Sequence, residues 1–339
     1  MEPTSRPRIA GLRVLSRRSL LVGAAAAAGL AACDTDAPAD KRLDALAGPV
    51  DPITPNEDFY VTSCCGTPTV DGAAWALSVR DDTGVRATID LAWLESLTAR
   101  DREHTLECIG GGPFHLAIGN AVWSGLPLAE LLEALGVEVP ADAVELIFTS
   151  ADDYTTALPV ADLTLPVWLV WRMNGAPLPP EHGYPARLLV PGRYGMKNPK
   201  WIVEIAFSTD PEPYLGFWET RGWSNPAPYK PNALVHDPDR VAKVDAGQVR
   251  VSGTAFAGSD PVVAVDVRID GGDWQPAVID YAPGPDVWTL WHFDWEAEPG
   301  EHAVQARCTT ASGAQSLGAD VSAPLEGYDG SMEIAVEVT

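Results

Sequence analysis

The segment TLECIGGG, residues 105–112, places Cys108 between a short apolar run and three consecutive glycines. Glycine has no side chain, so a backbone rich in glycine can approach a bulky ligand closely. A cysteine thiolate at the end of a predicted strand, facing such a loop, can bind a soft metal or attack an electrophile. The alternative is a structural cysteine buried in a tight turn, and this segment alone leaves both interpretations open.

The other cysteines and the histidines form no familiar metal or redox motif. The chain has five cysteines, and none belongs to a C-x-x-C pair, which argues against a zinc knuckle and a thioredoxin-type site. Adjacent cysteines rarely bridge each other, so Cys64 and Cys65 do not suggest a disulfide. None of the six histidines lies in an H-E-x-x-H motif. The glycines after Cys108 lack the third glycine of a dinucleotide-binding fingerprint.

The elements predicted around Cys108 are both strands and helices. A strand over residues 104–108 ends at the glycines, and a helix over residues 89–97 has Asp90 as its N-cap. A second helix has one apolar face, which comprises Leu128, Leu131, Leu132 and Leu135. Further strands are predicted over residues 74–79, 144–149 and 187–190. Residues 51–236 are therefore predicted to form a mixed domain, and the fold class is α+β.

The sequence pattern changes at residues 236–239, from mixed helix and strand signals to β-strand signals alone. We place a domain boundary there. Runs rich in β-forming residues follow at 248–254, 262–270, 287–295 and 302–309. Several short strands without a helical pattern predict a β-sandwich over residues 237–339. We expect Trp274, Trp288, Trp291 and Trp295 in its core, with an interface as the alternative.

Residues 1–33 are predicted to be an export signal. Arg17 and Arg18 form a twin arginine before an alanine-rich apolar run, and this run is too short for a permanent membrane helix. Twin-arginine signals serve proteins that are exported folded, which suits a protein that acquires a large cofactor in the cytoplasm. The sequence LAAC at residues 30–33 resembles a lipoprotein cleavage site, in which Cys33 would carry the lipid. Residues 34–50 form a polar tether, so we expect a lipid-anchored extracytoplasmic protein, in the periplasm or on the outer face of the cell membrane.

Length, composition and charge narrow the classes of fold and partner. A chain of 339 residues suggests two domains after removal of the leader. The hydrophobic fraction of 46% is ordinary for a globular protein with large cores. The formal net charge of −24 argues against nucleic acid and anionic membrane surfaces as partners.

Three groups of motifs carry a family resemblance. Around Cys108 the chain matches C-x-G…I-G-N-A-x-W-x-G-x-P-L, and from His182 it matches H-G-x-P-x-R…P-G-x-x-G…K-W. An earlier segment, residues 53–60, reads I-T-P-N followed by F-Y. With these motifs, residues 51–228 resemble the sulfite oxidase family of molybdenum–pterin enzymes. The β-rich tail is similar, more loosely, to the immunoglobulin-like second domain of that family.

The resemblance implies a molybdopterin cofactor, with one pterin per molybdenum, and roles for individual residues. Cys108 matches the cysteine whose thiolate, expected to have a low pKa, binds the molybdenum, and Trp223 stands at a second catalytic position. The pterin would supply two further sulfur ligands. The implied cofactor-binding residues are Tyr60, Thr62, Ser63, Cys64, Asp152 (or its neighbour Asp153), His182, Arg187, Lys197 and Lys200. An arginine fork suits a phosphate group well.

The positions expected to recognise sulfite depart from the family pattern. The R-N-H loop has Thr62 in place of its arginine and Cys64 in place of its histidine, and C-x-G-N-R-R becomes C-I-G-G-G-P. The expected tyrosine is Trp223. Each lost charge-assisted hydrogen bond is worth roughly 1.5–3 kcal/mol, so we expect sulfite to be a poor substrate. Arg193, Arg221 and His115 are candidate sources of replacement charge, and the alternative is that these side chains only face solvent.

The predicted function is oxygen-atom transfer to or from a small substrate such as a sulfur oxyanion or a sulfoxide. No C-x-x-C-H haem motif is present, so electrons would pass to or from an external carrier, a cytochrome or a membrane quinone protein. The resemblance also allows a homodimer built on the tail. The alternative is an exported binding or scaffold lipoprotein whose cofactor site has decayed. Cys64 is either a second redox-active thiol or an unreactive buried cysteine.

Overall fold

The computed structural model describes residues 48–111, 117–239, 242–316, 324–331 and 333–339. The predicted export signal, the lipid-bearing Cys33, most of the tether and His115 lie outside these described residues. None of the helices in the described part of the chain is long and apolar enough to span a membrane.

The described chain is mostly β-structure. In the first half the strands are β1 (Ala76–Asp81), β2 (Gly84–Asp90), β3 (Arg100–Glu107), β4 (Ile118–Pro127), β5 (Glu145–Ser150), β6 (Thr155–Pro159), β7 (Trp168–Met173), β8 (Ala176–Pro177), β9 (Arg187–Leu189) and β10 (Ile202–Ser208). The α-helices are α1 (Leu91–Ser96) and α2 (Leu128–Ala134). Short 3-10 turns occupy Ile109–Gly111, Val160–Thr164, Pro180–His182, Gly195–Lys197, Glu219–Arg221 and Pro324–Glu326.

In the second half the strands are β11 (Asn232–Asp237), β12 (Ala242–Val244), β13 (Gly247–Phe256), β14 (Val262–Ile269), β15 (Gln275–Pro276), β16 (Val278–Tyr281), β17 (Thr289–Ala297), β18 (Gly300–Thr310), β19 (Gly330–Ser331) and β20 (Glu333–Val338). The predicted α+β class therefore gave too much weight to helices. The helix predicted over residues 89–97 is only six residues long, because β2 continues to Asp90. Asp90 caps the helix as predicted, since its carboxylate accepts a hydrogen bond of 2.8 Å from the Trp93 amide.

Two sheets and the two helices enclose the main core of the first half. One sheet has the order β2-β1-β10-β5-β6, and the other has the order β3-β4-β7-β8, with β9 paired to β7. Leu128, Leu131 and Leu132 of α2 are buried in this core, so three of the four leucines on the predicted apolar face are confirmed as buried. The fourth, Leu135, is partly buried against the same core.

Strands β3 and β4 determine where Cys108 lies. They pair antiparallel from Arg100↔Gly125 to Glu107↔Ile118. One residue beyond this ladder, the Cys108 amide donates a hydrogen bond of 2.9 Å to the Ala117 carbonyl. This bond closes the ladder immediately before the glycine turn, so it holds Cys108 at the open end of the hairpin.

The second half has two further sheets, with orders β16-β17-β13-β11-β19 and β12-β20-β18-β14-β15. Strand β11 already belongs to this half, because it pairs antiparallel with β13. The sheets share an apolar core that includes Val251, Val267 and Trp291. Of the other tryptophans, Trp295 packs partly buried against this core, and Trp274 lies between Arg268 and Arg307.

Residues of the second half fix the position of strand β3 through an ion pair and hydrogen bonds. Arg102 of β3 forms an ion pair of 2.6 Å with Asp286. The hydroxyl of Thr105 accepts a hydrogen bond of 2.9 Å from the Trp288 amide and donates one of 3.1 Å to the amide oxygen of Asn120. Trp288 is completely buried. The strand that carries Cys108 therefore depends on the C-terminal half for its position.

We predict that Thr105→Val destabilises the protein by about 1–3 kcal/mol, because it leaves the buried Trp288 amide without its acceptor while changing little in volume. Thr88→Val is the matched control on the exposed face of β2, and it should change stability by no more than about 0.5 kcal/mol. Chemical unfolding followed by circular dichroism measures both. Equal effects of the two substitutions would contradict this role of Thr105.

Candidate active site

A cavity of about 330 Å³ opens at the end of β3 and collects most of the predicted site residues. Those that line it are Tyr60, Thr62, Ser63, Cys64, Cys108, Asp152, His182, Arg187, Lys200 and Trp223. Lys197 is the one predicted site residue that does not. Residues far apart in the chain are therefore brought together around the Cys108 thiol.

Cys108 is a protonated thiol in this environment. Burial raises its pKa, and hydrogen bonds from the Gly110 amide and the Thr62 side chain act in the opposite direction and are weaker. The expected low pKa is thus wrong for the protein without metal, because the cavity desolvates the sulfur. A bound cation favours the thiolate strongly enough to displace such a proton.

His182 and Arg187 are held by backbone carbonyls. His182 Nε2 donates a hydrogen bond of 2.9 Å to the Asn56 carbonyl, and burial lowers the pKa of His182 to about 4. The ring is therefore neutral near pH 7, and Nδ1 is left as an acceptor. Arg187 Nη1 and Nη2 donate to the carbonyls of His182, at 3.1 Å, and Asn198, at 3.2 Å. Burial lowers the pKa of Arg187 to about 10, so the group stays cationic.

Cys64, Asp152 and Lys200 lie on another part of the wall. The Cys64 sulfur lies 3.8 Å from Asp152 Oδ2 and 2.8 Å from the sulfur of Cys65. Burial and the neighbouring Asp152 raise the pKa of Cys64 to about 12. Lys200 Nζ donates a hydrogen bond of 2.8 Å to the Glu181 carbonyl and lies 4.2 Å from the centre of the Trp201 ring.

Trp223 forms the part of the wall next to the glycine turn. A Cβ atom added at Gly110 would lie 3.1 Å from Cη2 of Trp223, so glycine at this position allows the indole to pack directly on the turn. Trp218 meets Trp223 edge to face, with ring centres 6.0 Å apart. The sequence reasoning missed Trp218, although it stands five residues before Trp223 in the same segment.

Lys197 points into the wall instead of the cavity. Its ammonium group lies 2.5 Å from Glu219 Oε1, and it also donates to the Ala157 carbonyl at 3.0 Å and to Asn225 Oδ1 at 2.9 Å. Both charged side chains are only 1% exposed. The pair ties the turn before Lys200 to the segment that carries Trp218 and Trp223, so Lys197 supports the wall in this arrangement.

Three residues that line the cavity carry buried polar atoms without a hydrogen-bond partner among the described residues. These atoms are Ser63 Oγ, Ser150 Oγ and Arg187 Nε. Unpaired buried polar atoms are costly, and three of them around one cavity fit a polar ligand such as the phosphorylated pterin. No group of three or more His, Cys, Asp or Glu side chains suitable for a metal exists in the described part of the chain. A single cysteine ligand fits a metal whose other ligands come from its cofactor.

The sequence reasoning missed several cavity residues besides Trp218. Ser150, Tyr154, Met196 and Asn198 line the cavity as well. Ser150 and Tyr154 flank the predicted Asp152, and Asn198 lies between the matched glycine and lysine of the later motif, so proximity in sequence was the available signal. The Tyr154 hydroxyl donates a hydrogen bond of 2.5 Å to the Met196 carbonyl.

We predict that Lys197→Met costs about 3–5 kcal/mol, because it leaves the buried Glu219 carboxylate unpaired. The double variant Lys197→Met/Glu219→Gln removes both charges and should recover more than half of this loss. Chemical denaturation of the single and double variants measures the difference. A double variant as unstable as the single one would show that packing, and not the ion pair, determines stability here.

We predict that Cys64 reacts slowly with iodoacetamide, at a rate that still rises between pH 7 and pH 10, because only the thiolate reacts and its pKa is about 12. Asp152→Asn removes a neighbouring negative charge and should raise the rate at pH 8 by about threefold to tenfold. The exposed neighbour Asp153 gives the control, since Asp153→Asn should have no effect. Peptide mass spectrometry follows the reaction, and a plateau below pH 9 would contradict the prediction.

Comparison with known proteins places this site in a family. The oxidoreductase molybdopterin binding domain matches residues 65–218. Human mitochondrial sulfite oxidase is 25% identical, over 80% of this chain and 58% of its own length. Sulfite oxidase of Gallus gallus is 29% identical, over 84% of this chain and 72% of its own. The chain thus spans only 58% of the length of the human relative.

A solved structure shows the same fold. The crystal structure of the sulfane dehydrogenase SoxCD from Paracoccus pantotrophus superimposes with a TM-score of 0.77 and 21% identity, over 90% of this chain and 86% of that one. The likeness extends well beyond the matched domain, because it includes most of the C-terminal half. Residues 65–218 are therefore an oxidoreductase molybdopterin binding domain, in a chain that is similar over most of its length to sulfite oxidases.

Proposed function

We propose that this protein is an exported molybdenum enzyme that transfers an oxygen atom to or from a small substrate. The observation that carries the proposal is the cavity itself, which Cys108 lines together with Ser63, Ser150 and Arg187, three residues that each keep a buried polar atom without a partner among the described residues. These are a soft metal ligand and a set of unused polar atoms, in a chain with an oxidoreductase molybdopterin binding domain.

Cys108 would bind the molybdenum, and His182, Arg187 and Lys200 would hold the pterin and its phosphate. When bound, the cofactor supplies a metal centre that changes oxidation state by two electrons as an oxygen atom moves to or from the substrate. The soft sulfur of Cys108 suits such a metal.

The chain's own side chains prepare this site. The Thr62 hydroxyl and the Gly110 amide stabilise negative charge on the Cys108 sulfur. Arg187 is fixed by two carbonyls, and its Nε–H has no partner among the described residues, so it is available to a ligand without reorganisation of the side chain. Trp218 and Trp223 cover the side of the cavity next to the glycine turn and reduce the access of water, which strengthens electrostatic interactions inside.

A decayed cofactor site in a binding or scaffold lipoprotein is the competing function. The three unpartnered polar atoms favour the enzyme, because a cavity without a polar ligand would be expected to lose such costly groups. The hydrogen bonds that fix Arg187 and His182 also favour the enzyme over a decayed site.

The proposal also includes the location of the protein in the cell and its partners. The twin arginine and the LAAC sequence support export in the folded state and a lipid anchor through Cys33. An external electron carrier, a cytochrome or a membrane quinone protein, would exchange electrons with the site. The C-terminal half, with its two facing five-stranded sheets, is proposed to be an immunoglobulin-like sandwich that supports a homodimer.

We predict that Cys108→Ser lowers the molybdenum content of protein purified from a molybdate-fed host to below about one tenth of the wild-type value, because it removes the soft ligand from the protein. Elemental analysis by mass spectrometry and turnover with a redox dye measure metal and activity. Cys308→Ser is the matched control, since the Cys308 thiol lies in the C-terminal half and donates to the Asn232 carbonyl at 3.2 Å. Unchanged metal content and turnover in Cys108→Ser would refute the proposed function.

A further inference from the structure

The positive charge that lines the cavity is confined to one part of the wall. Among the described lining residues, the only cations are Arg187 and Lys200, since His182 is neutral near pH 7. The terminal nitrogens of Arg187 donate to two carbonyls, and Lys200 donates to a third. Arg187 and Lys200 are also the residues that would hold an anionic cofactor. Their positive charge would then be neutralised by the cofactor and not by a substrate.

The arginines expected to replace the missing sulfite-binding charges do not line the cavity. Arg221 lies over the Phe217 ring, 3.6 Å from its centre, and donates a hydrogen bond of 2.6 Å to the Phe217 carbonyl. Arg193 forms an ion pair of 2.6 Å with Asp162. Both side chains therefore have partners outside the cavity lining, although Arg221 is close enough to act electrostatically on Cys64.

The wall nearest to the glycine turn is aromatic. Trp223 packs on Gly110, Trp218 packs on Trp223, and Met196 lines the same cavity. Asp152 is the one acidic residue among the described residues that line the cavity, and a negative charge on it repels an anion. A chain with a net charge of −24 also repels anions during the approach from solution.

Resting on the function proposed above, we propose that the substrate is an uncharged organic sulfoxide or its thioether, bound against Trp218 and Trp223, and not a sulfur oxyanion. In the reducing direction the sulfoxide gains two electrons and two protons and leaves as a thioether and one water molecule. The external carrier supplies the two electrons, and the reverse reaction returns them to it.

The physical reason is desolvation. An oxyanion that enters this cavity loses its hydration, and the two cations among the described lining residues, Arg187 and Lys200, are those that would hold the cofactor, so its burial is unfavourable. An uncharged sulfoxide loses less hydration and buries its carbon substituents against indole rings, which is favourable. The wall therefore selects by charge.

Two unreactive probes test this selection directly on the holoprotein. Methyl phenyl sulfone represents the uncharged class, and sulfate represents the oxyanions. Isothermal titration calorimetry should show that the sulfone binds at least tenfold more tightly than sulfate. Sulfate binding as tightly as the sulfone would overturn the proposal.

Substitutions at Trp223 test whether this side chain causes the preference for the uncharged ligand. Trp223→Ala should weaken sulfone binding at least tenfold, Trp223→Phe should restore most of it, and Trp223→Arg should improve sulfate binding at least tenfold. Trp274→Ala, in the C-terminal half, is the matched control and should change neither affinity. Unchanged sulfone binding in Trp223→Ala would also overturn the proposal.

The molybdenum content of each sample separates this proposal from the proposed function. Protein that contains molybdenum but prefers sulfate contradicts only the substrate class. Protein that prefers the sulfone but contains no molybdenum contradicts the proposed function while supporting the selection by this wall.

Discussion

The hydrogen bond from the Cys108 amide to the Ala117 carbonyl is the constraint on which the site depends. It closes the β3–β4 ladder one residue beyond the last pair, so that the sulfur leaves the sheet at the open end and not within it. The glycine turn that follows allows Trp223 to pack on the backbone. A thiol and an aromatic wall are thus placed together by one strand end, and the other cavity residues are arranged around them.

The C-terminal half contributes to this constraint although it supplies no residue to the cavity lining among the described residues. Thr105, Arg102 and Trp288 connect β3 to the second pair of sheets through buried polar contacts. Glu107, which precedes Cys108, accepts two hydrogen bonds of 3.0 Å from the Asn232 amide of β11. Buried polar contacts of this kind define a single geometry, because each loses much of its energy when misplaced. The two halves therefore behave as one support for the thiol.

Some charged side chains of the site are paired within the protein and support the cavity wall, and others are available to bind a ligand. Lys197 and Glu219 neutralise each other inside the wall, and Arg193 and Arg221 are held by an ion pair and a carbonyl. Arg187, which lines the cavity, keeps one nitrogen without a partner among the described residues. A site with this distribution can hold an anionic cofactor and still present an apolar face to a substrate.

The sequence by itself determined the family resemblance, the position of Cys108 after a strand, the Asp90 cap and the buried face of α2, because motifs, capping residues and apolar periodicity are local properties. The predicted α+β class was correct in its two helices but understated the β-structure, since the pairing of short strands from distant segments is not a local property. Tertiary structure alone decided the raised pKa of Cys108, the direction of the Lys197 side chain and the partners of Arg193 and Arg221. These depend on desolvation and on contacts between residues distant in the chain, such as Lys197 with Ala157, which no local pattern encodes.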